Sequence, residues 1–286
     1  MKKPLIILTG PTAVGKTKLS ISLAQAVNGA IISADSMQVY SHMDIGSAKI
    51  RPEEMCGVPH YLIDVLDPSE EFHVVKFVEL AHEAMEKIYA AGQIPIVTGG
   101  TGFYIQALLK EVDFTESHGE LPIRKQLEEK AATEEGAAEL YRELSEVDPA
   151  SAETIHPNNV KRVIRALEYY HETGQKISEH NEEQKQKESP YCSAYFVLND
   201  ERSILYDRID RRVDQMICDG LVDEVFRLKE MGYTRDLVSM QGLGYKELFP
   251  YLAGECTLEE AVYIIKRDTR HFAKRQLTWF RREKDV

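Results

Sequence analysis

Cysteine is scarce and scattered: Cys56, Cys192, Cys218 and Cys256 are the only four in 286 residues. With no Cys-x-x-Cys and no paired histidine spacing, neither a zinc site nor a disulfide framework is indicated. Long apolar runs are also missing. No stretch approaches the ~20 residues needed to cross a bilayer. Met1-Lys2-Lys3 leads into a strand-like run rather than a signal-type segment, so a cytoplasmic protein with no membrane partner is expected. Positive charge is in deficit, with 35 Lys and Arg against 47 Asp and Glu. The resulting formal charge of −12 argues, on the global balance, against a nucleic-acid partner. No internal repeat is visible. The remaining composition, 43% apolar and 29% charged, suits a globular chain long enough for one large domain or two.

Global charge averages over local patches, and one lies near the C-terminus. There Lys266, Arg267, Arg270, Lys274, Arg275, Arg281, Arg282 and Lys284 are opposed only by Asp268, Glu283 and Asp285. Tyr263, Phe272, Trp279 and Phe280 interleave with these charges on a helix-like segment. Such a segment is either a face for a polyanion or a solvated helix face.

The most specific signal is Leu5-Ile6-Ile7-Leu8-Thr9 emptying into Gly10-Pro11-Thr12-Ala13-Val14-Gly15-Lys16-Thr17. A buried-strand pattern runs into Gly-x-x-x-x-Gly-Lys-Thr, and a helical stripe of Leu19, Leu23, Ala24 and Val27 follows at once. Glycines let backbone N–H groups converge on phosphate oxygens, and the new helix points its positive end at the anion. Lys16 adds a mobile charge and the Thr17 hydroxyl can ligate Mg²⁺, the expected cofactor. Gly10, Thr12, Ala13, Val14, Gly15, Lys16 and Thr17 are therefore the expected contacts to a di- or triphosphate; the alternative is a Gly-rich turn without a ligand. The reaction stays open, since kinases, NTPases and transferases that expel pyrophosphate share this cradle.

Strand-like runs at Leu5–Leu8, Ala30–Ser33, Tyr61–Val65 and Ile94–Thr98 alternate with helical patterns, one from about Val74 to Ala90 breaking at Gly92. This is the signature of a parallel sheet with crossover helices. From about Asp113 to Ser189 strand signals vanish. That segment is charged, helical and punctuated by Pro122, Gly136, Pro149, Pro157 and Gly174. Within it Val160, Val163, Ile164, Leu167 and Tyr170 form an apolar stripe, with Lys161, Arg162 and Arg165 projecting elsewhere. Lys176 to Ser189 is polar and aperiodic, which predicts a return linker. Ser193–Leu198 reads as another buried strand, and helices follow with breaks near Gly220, Gly232, Gly242-Leu243-Gly244 and Gly254. The expected fold is α/β, a P-loop parallel-sheet core over residues 1–112 and 191–286. The expected insertion, mostly helical, spans residues 113–190.

Ligands of doubly wound sheets bind at the carboxyl ends of strands, and two further loops fall there. Ser33-Ala34-Asp35-Ser36-Met37-Gln38-Val39-Tyr40 offers a carboxylate, a hydroxyl and an amide. Thr98-Gly99-Gly100-Thr101-Gly102-Phe103-Tyr104 allows close backbone approach and adds the Thr101 hydroxyl. Read from the residues alone, Asp35 is a strand-end aspartate of the kind that orients Mg²⁺ and its waters. Asp64 is a second candidate for that duty, or an ordinary turn aspartate. Tyr40, Phe103 and Tyr104 are either ligand-facing aromatics or core.

Together, these loops and the cradle resemble the tRNA dimethylallyltransferase (IPP transferase) family. Further resemblance lies in His156-Pro157-Asn158-Asn159-Val160-Lys161-Arg162, in Arg208-Ile209-Asp210-Arg211-Arg212-Val213 with Met216, and in Gln241-Gly242-Leu243-Gly244-Tyr245-Lys246. It covers nearly the whole chain in order and looks bacterial, lacking the zinc-finger extension of eukaryotic relatives. The resemblance implies transfer of a dimethylallyl group from dimethylallyl diphosphate to the exocyclic amine of the adenosine 3′-adjacent to the anticodon in tRNA. It implies Asp35, Thr101 and Lys16 as catalytic residues, with Asp35 the base, and Arg208 or Arg212 on the diphosphate. Their spacing of four residues could place both arginines on one helix face. Contacts to tRNA are implied for Asp35, Ser36, Met37, Gln38, Thr101, Arg124, Asn158, Asn159, Val160, Lys161 and Arg162, Arg124 lying outside any distinctive motif. The helical insertion would clamp the anticodon stem-loop, and a monomer is expected.

Three rival readings share the cradle. A small-molecule kinase would use Asp35 to activate a hydroxyl and would convert ATP to ADP. A prenyltransferase acting on free adenine nucleotides would not need the helical insertion. A nucleotide-dependent switch would leave Asp35 and Thr101 without a purpose.

Overall fold

The computed structural model describes residues 2–113, 122–284 and 286. Met1, Asp285 of the basic cluster and residues 114–121 of the expected insertion lie outside the described residues. Two compact units are present: Met1–Leu109 with Pro190–Val286, and Lys110–Ser189.

The first unit begins with strand β1 (Lys3–Thr9), helix α1 (Lys16–Val27) and strands β2 (Gly29–Ser33) and β3 (His60–Tyr61). Helix α2 (Val74–Ala90), strand β4 (Ile94–Gly99) and helix α3 (Gly102–Lys110) follow. All pairings are parallel and the sheet order is β3-β2-β4-β1 with a fifth strand beyond. Side chains alternate between the two faces, as the pleat requires. Leu5, Ile7, Ala30, Ile32 and Val97 enter the large core with α2 and the C-terminal helices. Ile31 and Ile96 point the other way, onto Ala24, Leu23 and Val27 of α1. Leu19, included in the expected stripe, is 44% exposed because the buried face of α1 is centred on Ser20 and Ala24.

The strand expected at Tyr61–Val65 stops at Tyr61. Leu62 (φ 62°) and Asp64 (φ 56°) adopt left-handed backbone and end the ladder. The chain then attaches to the segment that follows β2 instead, through Val65 N–H and Leu66 N–H to the Val39 carbonyl (2.9 and 3.1 Å).

The second unit holds helices α4 (Pro122–Lys130), α5 (Glu134–Val147), α6 (Pro149–Thr154), α7 (Val160–Thr173) and α8 (Ile177–Gln186). Its own core gathers Leu127, Leu140, Leu144, Val163, Ile164, Ala166 and Leu167. On α7 the buried tyrosine is Tyr169, while Tyr170 is only half-buried. The expected linker at Lys176–Ser189 is instead mostly helix α8. A single apolar anchor, Ile177, reaches the core, and Asp148 accepts hydrogen bonds from the Ser178 N–H (3.0 Å) and Oγ (2.6 Å). A polar helix held by side-chain hydrogen bonds has no hydrophobic period to betray it.

The chain returns through β5 (Tyr191–Val197), paired with β1. It is an edge strand in which no residue is fully buried and Phe196 is 51% exposed, not the buried strand expected. Helices α9 (Arg202–Cys218), α10 (Leu221–Glu230), α11 (Leu248–Leu252) and α12 (Leu258–Phe280) complete the first unit. Among the described residues no helix is long and apolar enough to cross a membrane.

Candidate active site

The cradle closes the carboxyl end of β1. Gly10 holds φ 147°, where an added Cβ would meet the Leu198 carbonyl oxygen at 2.5 Å, so glycine is required there. Ala13 (φ 64°) and Gly15 (φ 95°) turn the loop into α1. No side chain caps α1 and no acidic residue stands in its first turn, which leaves its N–H groups available to an anion. Lys16 Nζ folds back onto the carbonyls of Gly10 (2.9 Å) and Pro11 (2.8 Å). Burial disfavours its cation and lowers its pKa to about 8, against the attraction of Asp35 and with repulsion from Arg212.

Asp35 stands at the end of β2 and accepts the Met37 N–H at 2.9 Å. Burial raises its carboxyl above the ordinary carboxylate range, although backbone hydrogen bonds from Met37 and Gln38, and the charges of Lys16 and Arg212, oppose the rise. Gly99 at the end of β4 lets the two strand ends meet, since a Cβ there would stand 2.4 Å from the Ala34 backbone. Thr101 follows, and its carbonyl accepts the Tyr104 (3.0 Å) and Ile105 (3.3 Å) N–H groups of α3.

These three loops line one cavity of about 700 Å³, together with α9, α12 and the Gln241–Lys246 turn. The structure brings Thr12, Ala13, Gly15, Lys16, Thr17, Asp35, Ser36, Met37, Gln38, Thr101 and Arg212 to its wall; Gly10 and Val14 are not among the lining residues. The two arginines separate. Arg212 lines the cavity, whereas Arg208 pairs with Asp200 at 2.8 Å and does not. Asp64 also lies outside the cavity, ion-paired with Lys49. The same cavity is lined by the apolar side chains of Tyr40, Phe72, Tyr104, Val213, Met216 and Ile265. Its aromatic rings are interlocked edge to face, Tyr40 on Phe72 at 6.4 Å and Phe72 on Tyr104 at 5.6 Å. Burial pushes the Tyr104 hydroxyl up to about 12, so it stays neutral and donates to the Phe72 carbonyl (3.3 Å). Phe103 faces outward and packs on Trp279.

Among the described residues no group of three or more His, Cys, Asp or Glu side chains could form a metal cage. The Thr17 hydroxyl, at the start of α1, is a hard oxygen donor on the cavity wall. One such donor fits a Mg²⁺ that keeps several waters and takes its remaining ligands from a substrate's phosphates.

Sequence reasoning missed Gln276, a buried polar residue of α12. Its Oε1 accepts the Thr12 N–H (2.9 Å) and its Nε2 donates to the Gly100 carbonyl (3.0 Å), tying the cradle to the Thr101 loop. Gly100 must be glycine for this, because a Cβ would sit 2.1 Å from Nε2. The available signal was spacing: Ile265, Thr269, Phe272 and Gln276 repeat on one helix face, and all line the cavity.

The basic cluster on α12 resolves into two parts. Lys266 pairs with Asp214 (2.6 Å), Arg267 with Asp268 (2.7 Å) and Arg270 with both oxygens of Asp210. Lys274, Arg275 and Arg282 instead line a shallow pocket with His271 and Trp279. Phe280 is core at 3% exposure, and Trp279 packs on Gly102, where a Cβ would stand 2.2 Å from the indole. In the helical unit, Asn158, Asn159, Lys161 and Arg162 are exposed and Val160 is half-buried. No side chain caps α7, so Lys161 and Arg162 add cations to its positive end, an unfavourable arrangement that an anion relieves. Arg124 contacts Glu128 (3.0 Å) and the buried Glu168 (3.5 Å).

A family model described as IPP transferase matches residues 38–283, and one described as isopentenyl transferase matches residues 3–71. The chain belongs to the IPP transferase family. Among its relatives in that family, the tRNA dimethylallyltransferase of Lachnoclostridium phytofermentans is 66% identical over 99% of this chain and 90% of its own length. That of Carboxydothermus hydrogenoformans is 50% identical over the same shares. The full-length tRNA isopentenylpyrophosphate transferase of Bacillus halodurans superposes with a TM-score of 0.74 at 47% identity, covering 100% of this chain and 89% of that one. A eukaryotic dimethylallyltransferase acting on tRNA superposes with a TM-score of 0.84 at 37% identity, covering 97% of this chain and 69% of that one. The IPP transferase fold is thus the α/β fold expected from the sequence.

The charges predict an asymmetric pH response for this IPP transferase. As a proton acceptor Asp35 would have to be ionised, and as an anion ligand Lys16 would have to be charged. In the free enzyme, kcat/KM for a diphosphate donor should rise on an acid limb above the ordinary carboxylate range and fall above about pH 8. With the anion bound beside Lys16 its pKa rises, so the basic limb of kcat should move upward. Initial rates across pH check this; a kcat/KM flat to about pH 9 would contradict it.

Proposed function

We propose that this chain transfers a dimethylallyl group from dimethylallyl diphosphate to the exocyclic N6 amine of the adenosine 3′-adjacent to the anticodon in tRNA, releasing pyrophosphate. One observation carries the reading: a single cavity joins an amide cradle with Lys16 and Arg212, a carboxyl with raised pKa, and a wall of Tyr40, Phe72 and Tyr104.

Each part has a task in this chemistry. The allylic C–O bond breaks with its electron pair leaving on the diphosphate, so the cradle amides, Lys16 and Arg212 stabilise the anion as it forms. Mg²⁺ held by Thr17 would supply further charge for the diphosphate oxygens. The apolar wall takes the five-carbon group and keeps water from the allylic carbon. The adenine lone pair is delocalised into its ring, so the new C–N bond needs the N6 proton removed, and Asp35 Oδ accepts it. Thr101, on the third of the loops that line the cavity, orients the amine. The base must be unstacked to arrive there, which an unpaired loop permits at low cost.

Lys161 and Arg162 take phosphates of the RNA, as do Lys274 and Arg275 on α12 and Arg282 just beyond it. The double change Lys161→Glu with Arg162→Glu should weaken tRNA binding by about tenfold or more and flatten its salt dependence. An affinity unchanged in a filter-binding titration would remove the helical unit from RNA recognition. We take the active form to be a monomer in the cytoplasm, where its tRNA substrate is.

Incubation with dimethylallyl diphosphate, Mg²⁺ and unmodified tRNA tests the assignment. Mass spectrometry of the digested RNA should find one prenylated adenosine, next to the anticodon. Prenylation of free adenine nucleotide with tRNA left untouched would overturn the choice of acceptor.

A further inference from the structure

The segment Asp44-Ile45-Gly46-Ser47-Ala48-Lys49 belongs to none of the sequence motifs given a role above, yet Gly46, Ser47 and Ala48 line the cavity. What holds it is a buried carboxylate from far along the chain. Glu224, in the first turn of α10, is 3% exposed. Its Oε2 accepts the N–H groups of Asp44 (3.0 Å) and Ile45 (2.8 Å). Its Oε1 accepts the Gly46 N–H (3.1 Å) and the Tyr245 hydroxyl (2.8 Å). Four donors converge on the two oxygens of this buried carboxyl, two on each.

The contacts continue into the site on both sides. Tyr245 follows Gly242, Leu243 and Gly244, which line the cavity, and its ring fills the space where a Cβ on Gly46 would stand. On the other side, the carbonyls of Ser47 and Ala48 each accept from Gln38 Nε2 at 3.3 Å, while Gln38 Oε1 accepts from Ser33 Oγ at 3.2 Å. Two carbonyls facing Nε2 fix which way the Gln38 amide points. Lys49, whose side chain is 5% exposed, grips the same segment through the Tyr40 carbonyl and Asp44 (both 2.7 Å).

We propose that Glu224 is a positioning residue for the acceptor side of the site: by gathering the amides of Asp44–Gly46 and the Tyr245 hydroxyl, it sets Gln38 and the Gly242–Gly244 turn where the target adenosine docks. The assignment of an acceptor adenosine rests on the function proposed above. The hydrogen-bond framework does not, and among the described residues no hydrogen bond or ion pair joins Glu224 to the Gly10–Thr17 cradle. Glu224 therefore acts on the nucleic-acid side of the site and not on the diphosphate cradle.

The test pairs Glu224→Gln, which keeps the shape but turns an NH₂ toward N–H donors, with Tyr245→Phe, which removes one donor of four. Hydrogen exchange, independent of any catalytic reading, should quicken in Glu224→Gln at residues 43–49 and not at residues 10–17. With tRNA and dimethylallyl diphosphate, Glu224→Gln should lower kcat/KM for tRNA roughly tenfold or more while KM for the donor stays within about twofold. Tyr245→Phe should show a smaller fall with the same split. If donor and tRNA parameters fall together, or tRNA parameters stay at the wild-type values despite quickened exchange, Glu224 is a scaffold residue only. Should Glu224→Gln fail to fold, Tyr245→Phe decides, and its wild-type kcat/KM for tRNA would overturn the proposal. If the wild type prenylates nothing, the functional reading has failed, and tRNA affinity with and without Glu224→Gln still reads the positioning claim: a loss of tRNA affinity in the variant upholds it, and equal affinities overturn it.

Discussion

Asp35→Asn should slow prenyl transfer by about 10²- to 10⁴-fold, the range for losing a positioned general base, and leave the affinity for pyrophosphate nearly unchanged. The replacement is close to isosteric and its Oδ1 can still accept the Met37 N–H, so the loop keeps its turn. What disappears is a carboxylate whose raised pKa makes it a better proton acceptor than a solvent-exposed aspartate. Single-turnover rates of RNA prenylation, with pyrophosphate affinity measured in Mg²⁺, check both halves. The alternative role, orienting Mg²⁺ at the end of β2, makes the opposite forecast: a large loss of Mg²⁺-dependent pyrophosphate affinity.

The second large effect separates two arginines four residues apart. Arg212→Ala should lower kcat/KM for dimethylallyl diphosphate by about 10²- to 10³-fold, as expected when one donor to a developing anion is removed. Arg208→Ala should change it by no more than about threefold, the effect of an exposed ion pair. The ground is placement: burial lowers the Arg212 pKa beside Asp35 on the cavity wall, while Arg208 is held by Asp200 before α9 begins. Steady-state kinetics on both variants decide it, and equal losses would contradict the assignment.

That choice of arginine shows where sequence stops being legible. Spacing on α9 could place both residues on one helix face, yet Arg208 pairs with Asp200 and of the two Arg212 lines the cavity. The cradle was legible because every constraint on it is local: an apolar strand, glycines at the turn, a helix at once. The second and third loops were legible for the same reason, each following a strand directly. Helix α8 was not, since Asp148 fixes it from 30 residues away and its surface is polar. The third strand ended early at Leu62 and Asp64, whose left-handed backbone no residue type announced. Gln276 and Glu224 were the furthest from view: one binds Thr12 across 264 residues, the other Gly46 across 178. Such contacts leave no periodic trace, and they join loops that the sequence shows only singly.

The central claim is that the cradle draws a diphosphate away from carbon rather than passing a phosphoryl group between oxygens. Phosphorus NMR of the complete reaction tests this most directly. With dimethylallyl diphosphate, Mg²⁺ and unmodified tRNA, inorganic pyrophosphate should appear in step with prenylated adenosine, and ATP added alongside should remain intact. Conversion of ATP to ADP with a phosphorylated acceptor, and no pyrophosphate from the allylic donor, would contradict the account.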